Sequence, residues 1–549
     1  MVKKRESLFW ADQIAKNVKS RVDESNVLKK IVKERGYIVY DEKTPSGKIH
    51  IGSGRGWIIH DVIAKAMRDA GLKAKFILSS DDIDPYDKPN RDLPKKFDKY
   101  LGMPFMDIPS PVKGYESFAE YYFKECTDKF DEYGIVAKLE STGKRYRDGD
   151  FDTSIKKILD NNDKVQDIYK RFYGKPLGRL PFNPQCEKCG KIGTTNAYEW
   201  DPEREVVKYR CEPNLVKWAR GCGYEGEMSP YKGGGKLPWK AEWAAKWPTV
   251  GVVCELAGKD HFTRGGSRSI SVAISDEVLD FPPPYPSTRK DTGKGYEFFT
   301  VGGKKMSTSK GMGVGFSEMT KYLPADMLRY LLVRTRPHAR VDFDPFDEND
   351  IVLLYDRYDR TQRVYYGKEK TDHRDFEQEK RIYEFSVVGN ISKRMPPQIS
   401  LAYASSIVQI APEMNDSLKI LQRTGHITGK PTKEEIAYLE KRLGFAKQWV
   451  HNLAPEKYRF ELQEEPGAQV PKGMRDAIRQ VAGKMKARDM KEEELVDLFF
   501  NTCKESGVKP KEFFRTMYRI LIGKDYGPRL APFVLTIGRR KVARLLEGI

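Results

Sequence analysis

The chain has 549 residues, 39% of them hydrophobic and 11% aromatic, with 98 lysines and arginines against 79 aspartates and glutamates, a formal charge of +19. That length exceeds one ordinary core and predicts three or four structural units, while no apolar run reaches the roughly 18 uncharged residues a membrane helix needs, so a soluble chain without a membrane partner is expected. Positive charge in this excess repels itself unless a polyanion is nearby, which makes nucleic acid the leading class of partner.

The opening segment MVKKRESLFWADQIAKNVKS is basic, but it carries acidic residues and helical periodicity where a signal peptide would be continuously apolar. A cytoplasmic protein is expected. GYIVYD (36–41) reads as a short buried strand, followed by the small-residue run TPSGKIHIGSGRG (44–56). A helix comes next in GWIIHDVIAKAMRDAG, where Ile58, Ile59, Val62, Ile63 and Ala66 share one face and Gly71 stops it. KAKFILSS (73–80) is a second strand, and strand, glycine-rich turn, helix, strand begins a doubly wound parallel sheet.

A second unit of this kind appears at TVGVVCELAGKDH (249–261), followed by a helix around SISVAISDEVL. Ligands in such sheets bind at the carboxyl ends of strands, which singles out Gly258, Lys259, Asp260 and His261. If both units share one sheet, residues 96–236 are an insertion between a first half (1–95) and a second half (237–300). The insertion closes in YKGGGKLPWK, which has the composition of a linker. Residues 301–355 lead into a stretch, 356–549, where segments such as MRDAIRQVAGKMKARDM alternate apolar and basic positions with helical period.

Seven cysteines are present, four of them within 186–222. Cys186 and Cys189 are spaced as in a zinc knuckle, and Cys211 and Cys222 complete four thiolates, enough for a closed tetrahedral structural zinc site in a reducing compartment. Cys126, Cys254 and Cys503 are isolated and read as small core residues.

Two segments carry chemistry. A histidine after a strand, amid small residues, lets backbone amides and an imidazole approach a polyanion at a helix N-terminus. TPSGKIHIGSGRG lacks the spacing of a P-loop or a dinucleotide fingerprint, so on its own it reads either as a tight turn or as a phosphate site. GGKKMSTSKG (302–311) combines glycines, lysines and hydroxyls in a basic loop able to stabilise charge on a departing pyrophosphate, or it is a solvated surface loop.

Together the two resemble the signature pair of the class I aminoacyl-tRNA synthetases, HIGH and KMSKS, here His50, Ile51, Gly52, Ser53 and Lys305, Met306, Ser307, Thr308, Ser309. LPWKAEWAAKW, CELAGKDHFTRGGS, YEFFTVGGKKMSTSKG and IGKDYGPRLAPFV extend the resemblance, over nearly the whole chain, to the archaeal type of class I lysyl-tRNA synthetases. The resemblance implies a Rossmann-type catalytic domain with a zinc-bearing insertion, a stem-contact segment and an all-α anticodon-binding domain. It further implies ATP-dependent charging of tRNA(Lys) with L-lysine through an adenylate, with Mg2+ accompanying ATP. Carried over by position, His50 and Lys305 are the catalytic candidates. Gly52, Ser53, Asp260, Ser307 and Ser309 join them at ATP, and Thr44, Trp239, His261 and Tyr296 line the amino-acid pocket.

Ser53 and Thr308 replace a histidine and a lysine of the two signatures, and Asp41, Glu42 and Lys43 add charge where the family has a small pair. A lysine ammonium wants a carboxylate, and Asp41, Glu42, Asp81, Asp82, Glu242 and Glu255 are the candidates among which the sequence does not choose. A synthetase for another amino acid and a synthetase-like RNA binder without charging activity are the alternatives. In the C-terminal region Arg423, Lys433, Lys441, Lys447, Arg519, Arg529, Arg539 and Arg540 are candidates for a phosphate-binding face or for plain solvated surface.

Overall fold

The computed structural model describes residues 9–90, 92–263, 265–305, 315–347, 349–465 and 470–549. The chain divides into two compact units, one formed by Met1–Lys321, Leu328–Phe343 and Asp372–Gly389, the other by Tyr322–Met327, Asp344–Thr371 and Asn390–Ile549.

The first unit is built on a parallel sheet. Strand β1 (Tyr37–Lys43) leads into helix α1 (Ile51–Asp69) and strand β2 (Ala74–Ser80), with β3 (Lys138–Ser141) and β4 (Val252–Cys254) further along the chain. The sheet order is β3-β2-β1-β4, every pair parallel. β-Branched and aromatic side chains (Tyr37, Ile38, Val39, Tyr40) suit β1 to a sheet covered on both faces, and all four are buried. β1 runs beyond the expected end at Asp41, because Asp41, Glu42 and Lys43 pair in register with Leu78, Ser79 and Ser80. The acids that disturb the family pattern thus stand at the carboxyl edge of the sheet. β3 lies within the segment 96–236, so the sheet draws a strand from inside the expected insertion.

The glycine-rich run differs from its expected form. Only its first half is loop, with bends at Ser46 and Gly47, because α1 begins at Ile51 and takes Gly52, Gly54 and Gly56 into its first turns. Its glycines answer to crowding: a Cβ on Gly54 would lie 2.1 Å from the Phe316 ring, and one on Gly56 would lie 2.6 Å from the Tyr296 hydroxyl. Gly71 does end the helix, in the left-handed region at φ 79°.

Helix α2 (Trp239–Lys246) precedes β4 and α3 (Ser267–Glu277) follows it. Strand β5 (Phe299–Val301) pairs antiparallel with β6 (Lys304–Lys305) and parallel with β7 (Val341–Asp342). Between β3 and α2, Thr195–Asp201, Val206–Cys211 and Glu225–Met228 form a separate three-stranded antiparallel ribbon.

The second unit is helical. Lys472–Ala487, Glu492–Glu505, Pro510–Ile522, Leu530–Ile537 and Arg539–Glu547 bury Ile478, Met485, Leu495, Phe513, Val534 and Val542 in a common core. The chain is therefore a mixed α/β region with a parallel sheet and a cysteine-bearing insert, followed by a largely α-helical region. Among the described residues no helix is long and apolar enough to cross a membrane.

Candidate functional site

A cavity of about 320 Å³ opens at the carboxyl edge of the parallel sheet. His50, Gly52 and Ser53 line it on one side, Trp239, Asp260, His261 and Tyr296 on the other, with Asp41 and Glu42 at the end of β1.

His50 caps α1: its Nδ1 accepts the Gly52 amide at 3.0 Å, and its own carbonyl accepts the Ser53 amide at 3.0 Å. A Cβ on residue 52 would fall 2.7 Å from the imidazole, so this cap requires glycine. The N-terminus of α1, with its helix dipole, therefore borders the cavity beside an imidazole, an arrangement suited to phosphate oxygens.

The chain beyond the second signature returns to the same place. β6 ends at Lys305, and where the chain is next described Gly315 bridges antiparallel to His50 while the Phe316 amide donates to the Ile49 carbonyl at 2.8 Å. The Phe316 ring packs edge-on against Trp57 of α1 at 5.0 Å. The chain at Gly315 and Phe316 is thus anchored beside the histidine motif. Ser307, Ser309 and the Lys305 side chain lie outside the described residues.

The opposite wall is aromatic. Trp239 and Trp243, one turn apart on α2, stack at 6.0 Å, and the His261 ring meets them edge-on at 5.7 and 5.5 Å. His261 and Asp260 sit on a single 3-10 turn, Lys259–Phe262, beyond the end of β4. Tyr296 is drawn in by a parallel bridge to Gly258, its amide donating to Ala257 and its carbonyl accepting from Lys259. Burial, reinforced by the charge of Asp41, raises the Tyr296 pKa and keeps the phenol protonated. Thr44 is not on the cavity wall; its hydroxyl donates to Asp84 Oδ2 at 3.2 Å.

The structure separates the candidate carboxylates. Glu255 accepts from Arg268 Nη1 at 2.7 Å and from the indoles of Trp243 and Trp247 at 2.8 and 2.7 Å. Asp82 accepts the Gly143 amide at 2.7 Å, and burial lifts its pKa to about 6. Glu42, Asp81, Asp84 and Glu242 form a buried cluster around two lysines, with Lys246 between Glu42 and Glu242 and Lys236 between Asp84 and Glu242. Glu42, Asp81 and Glu242 approach closely enough to hold a cation, and the two ammonium groups fill that role. Burial opposes charge on Lys236 and Lys246, but the surrounding carboxylates outweigh it and raise both pKa values. Burial and Asp81 in turn raise Glu42 and push Asp84 up to about 7.

In the insert, Cys186 and Cys222 bring their sulfurs to 3.7 Å, as do Cys189 and Cys211, and all four sulfurs lie within 4.8 Å of one another. Zinc–thiolate bonds of about 2.3 Å in a tetrahedron imply sulfur separations of about 3.8 Å, so the set matches a closed four-thiolate site.

Several residues of the site carried no signal in the sequence. Arg55, inside the glycine run, is buried and donates to the carbonyls of Phe298 at 3.1 Å and Ala339 at 2.7 Å, tying α1 to the segment around β5; burial lowers its pKa to about 10. Lys236 and Lys246 resembled the many exposed lysines of this chain. The basic face expected in the C-terminal region is partly consumed by structure. Arg423 donates to the Thr536 carbonyl at 2.6 Å, Lys447 to the Pro412 carbonyl at 3.0 Å and Arg519 to Asp525 at 2.5 Å, while Arg529 pairs with Glu492 at 3.3 Å and Arg539 is buried against Asp489. Lys433, Lys441 and Arg540 are exposed.

Residues 8–389 match the family described as tRNA synthetases class I (K). The lysine–tRNA ligase of Methanocaldococcus jannaschii is 33% identical over 559 aligned residues, 98% of this chain and 99% of that protein. Those of Archaeoglobus fulgidus and Pyrococcus horikoshii are each 30% identical, over 97% of this chain and 98% of the first, and over 98% of this chain and 99% of the second.

Proposed function

The chain belongs to the tRNA synthetase class I (K) family, and on that premise we propose that it joins L-lysine to tRNA(Lys) in two ATP-driven steps. The observation that supports this reading is the bridge between His50 and Gly315, which brings the chain beyond the second signature to the histidine motif, at a cavity that also has an aromatic wall. ATP lies with its phosphates against the α1 N-terminus, at His50, Gly52 and Ser53, with Asp260 on the turn opposite and Mg2+ carried in by the nucleotide. Lysine lies along Trp239 and His261 with Tyr296 at its side, since an aliphatic stem and an ammonium both suit aromatic walls.

In the first step a carboxylate oxygen of lysine attacks the α-phosphorus, the bond to the β-phosphate oxygen breaks, and pyrophosphate leaves. Lys305, with Ser307 and Ser309 in the same loop, stabilises the departing charge. In the second step a hydroxyl of the tRNA 3′ ribose attacks the acyl carbon and AMP leaves. Catalysis is mainly positioning and fixed charge.

Zinc held by Cys186, Cys189, Cys211 and Cys222 stiffens the insert, and its thiolates fit a reducing cytoplasm. The helical C-terminal region, 356–549, binds the anticodon arm, and residues 301–355 lead to it along the tRNA stem. Incubation with labelled lysine, ATP and total tRNA tests the reading: lysine appears ester-linked to tRNA(Lys), and its absence there contradicts the proposal.

A further inference from the structure

The acids on the cavity wall differ in what faces them. Glu42 is paired with Lys246, Glu255 with Arg268 and Glu297 with Lys259. Asp41 forms no ion pair with a lysine or arginine among the described residues. Its Oδ1 accepts the Glu42 amide at 2.9 Å and its Oδ2 stands 3.3 Å from His60 Nδ1. His60 Nε2 accepts the Leu256 amide at 3.0 Å, so the neutral ring carries its proton on Nδ1, between Asp41 and the Gly56 carbonyl at 2.7 Å. Burial opposes a charge on this ring while Asp41 favours one and raises its pKa overall, but the Leu256 amide donating to Nε2 fixes the neutral ring in this arrangement, so the histidine holds the carboxylate in place with its charge uncancelled.

The position of this carboxylate matches a substrate dimension. A Cβ on Gly56 would lie 3.1 Å from Asp41 Oδ2 and 2.6 Å from the Tyr296 hydroxyl, so both groups converge over Gly56. Gly56 lies about 1.7 helical turns beyond the His50 cap, about 9 Å along the axis at 1.5 Å per residue. An extended lysine separates its carboxylate oxygen from its ε-nitrogen by about 8 Å, given bonds of roughly 1.5 Å. A lysine with its carboxylate offered to a nucleotide at the helix N-terminus thus extends its ammonium to the level of Asp41.

Building on the lysine-activating role given above, we propose that Asp41 is the specificity residue of the pocket, pairing with the substrate's ε-ammonium beside the Tyr296 hydroxyl. Glu42, the adjacent acid, belongs to the buried lysine cluster and holds the strand end rather than the substrate.

Lysine-dependent pyrophosphate exchange, with norleucine as a competitor that replaces the ammonium by a methyl group, tests the assignment. Asp41→Asn is expected to raise KM for lysine about 30-fold or more, the scale of a lost charge-assisted hydrogen bond, with KM for ATP unchanged and with lysine's advantage over norleucine abolished. Gly56→Ala, which crowds both Asp41 and Tyr296, is expected to give the same selective loss, so the test survives if one variant folds poorly. An unchanged lysine KM in Asp41→Asn, or loss of discrimination in Glu42→Gln in its place, overturns the assignment while leaving lysine activation intact. Wild-type protein that shows no exchange with lysine overturns the lysine reading itself, and this assignment with it.

Discussion

Arg268 sets its Nη1 2.7 Å from Glu255 Oε2, both side chains are buried, and the guanidinium lies over the Trp243 and Trp247 rings. Removing one partner of such a pair strands a charge in a low-dielectric site, which costs about 3–5 kcal/mol. Arg268→Ala is therefore expected to lower the first thermal transition, followed by tryptophan fluorescence. A further Glu255→Gln change should restore part of the loss, and equal midpoints for the single and double variants would contradict a buried, charged pair.

Trp239 behaves differently because it is 41% exposed while facing the cavity. Trp239→Ala should raise KM for lysine about 5- to 30-fold, the range of a partly desolvated cation–π contact, and leave the thermal midpoint almost unchanged. A large drop in midpoint would make it a packing residue instead.

What the sequence revealed and what it hid follow physical lines. The strands β1, β2 and β4, the body of α1 and the helical C-terminal region were legible because apolar periodicity is local, while β3 was not. The cysteines were legible because thiolates must converge on one ion. Opaque were the residues whose role depends on remote partners. His60 looked like one more helix position, yet it joins α1 to Leu256 across 196 residues. Arg55 reaches Ala339 across 284 residues, and nothing nearby marks it as buried. Glycines inside α1 read as a turn because their reason, contact with Phe316 and Tyr296, also lies far along the chain.

The acidic cluster makes stability depend on pH. Asp84 titrates near 7 and Asp82 near 6 in the folded chain, against about 4 when unfolded. The folded state thus keeps these protons longer, and the stability they contribute is complete below about pH 4 and lost as pH rises through 6 to 7. Asp84→Asn should flatten the decline in thermal midpoint between pH 5 and 8, a difference on the order of 3 kcal/mol at most. An identical slope in the variant would place the titration elsewhere.

The cysteine set predicts about one zinc per chain by elemental analysis. Cys211→Ser, which alters a buried thiol at the end of a ribbon strand, should lose the metal and expose the insert to proteolysis. Metal content equal to wild type would remove these thiolates from the account.

Lys305→Ala should slow adenylate formation at least 100-fold, the cost of one electrostatic contact to the leaving group, with little change in tRNA affinity. Equal loss of both would assign the loop to RNA binding.

The most direct measurement is pyrophosphate exchange by the wild-type chain across all twenty amino acids, with total tRNA present. Exchange that depends on lysine and on no other amino acid is the predicted result. Exchange supported by a different amino acid would contradict lysine as the substrate, and exchange with none would contradict the enzyme itself.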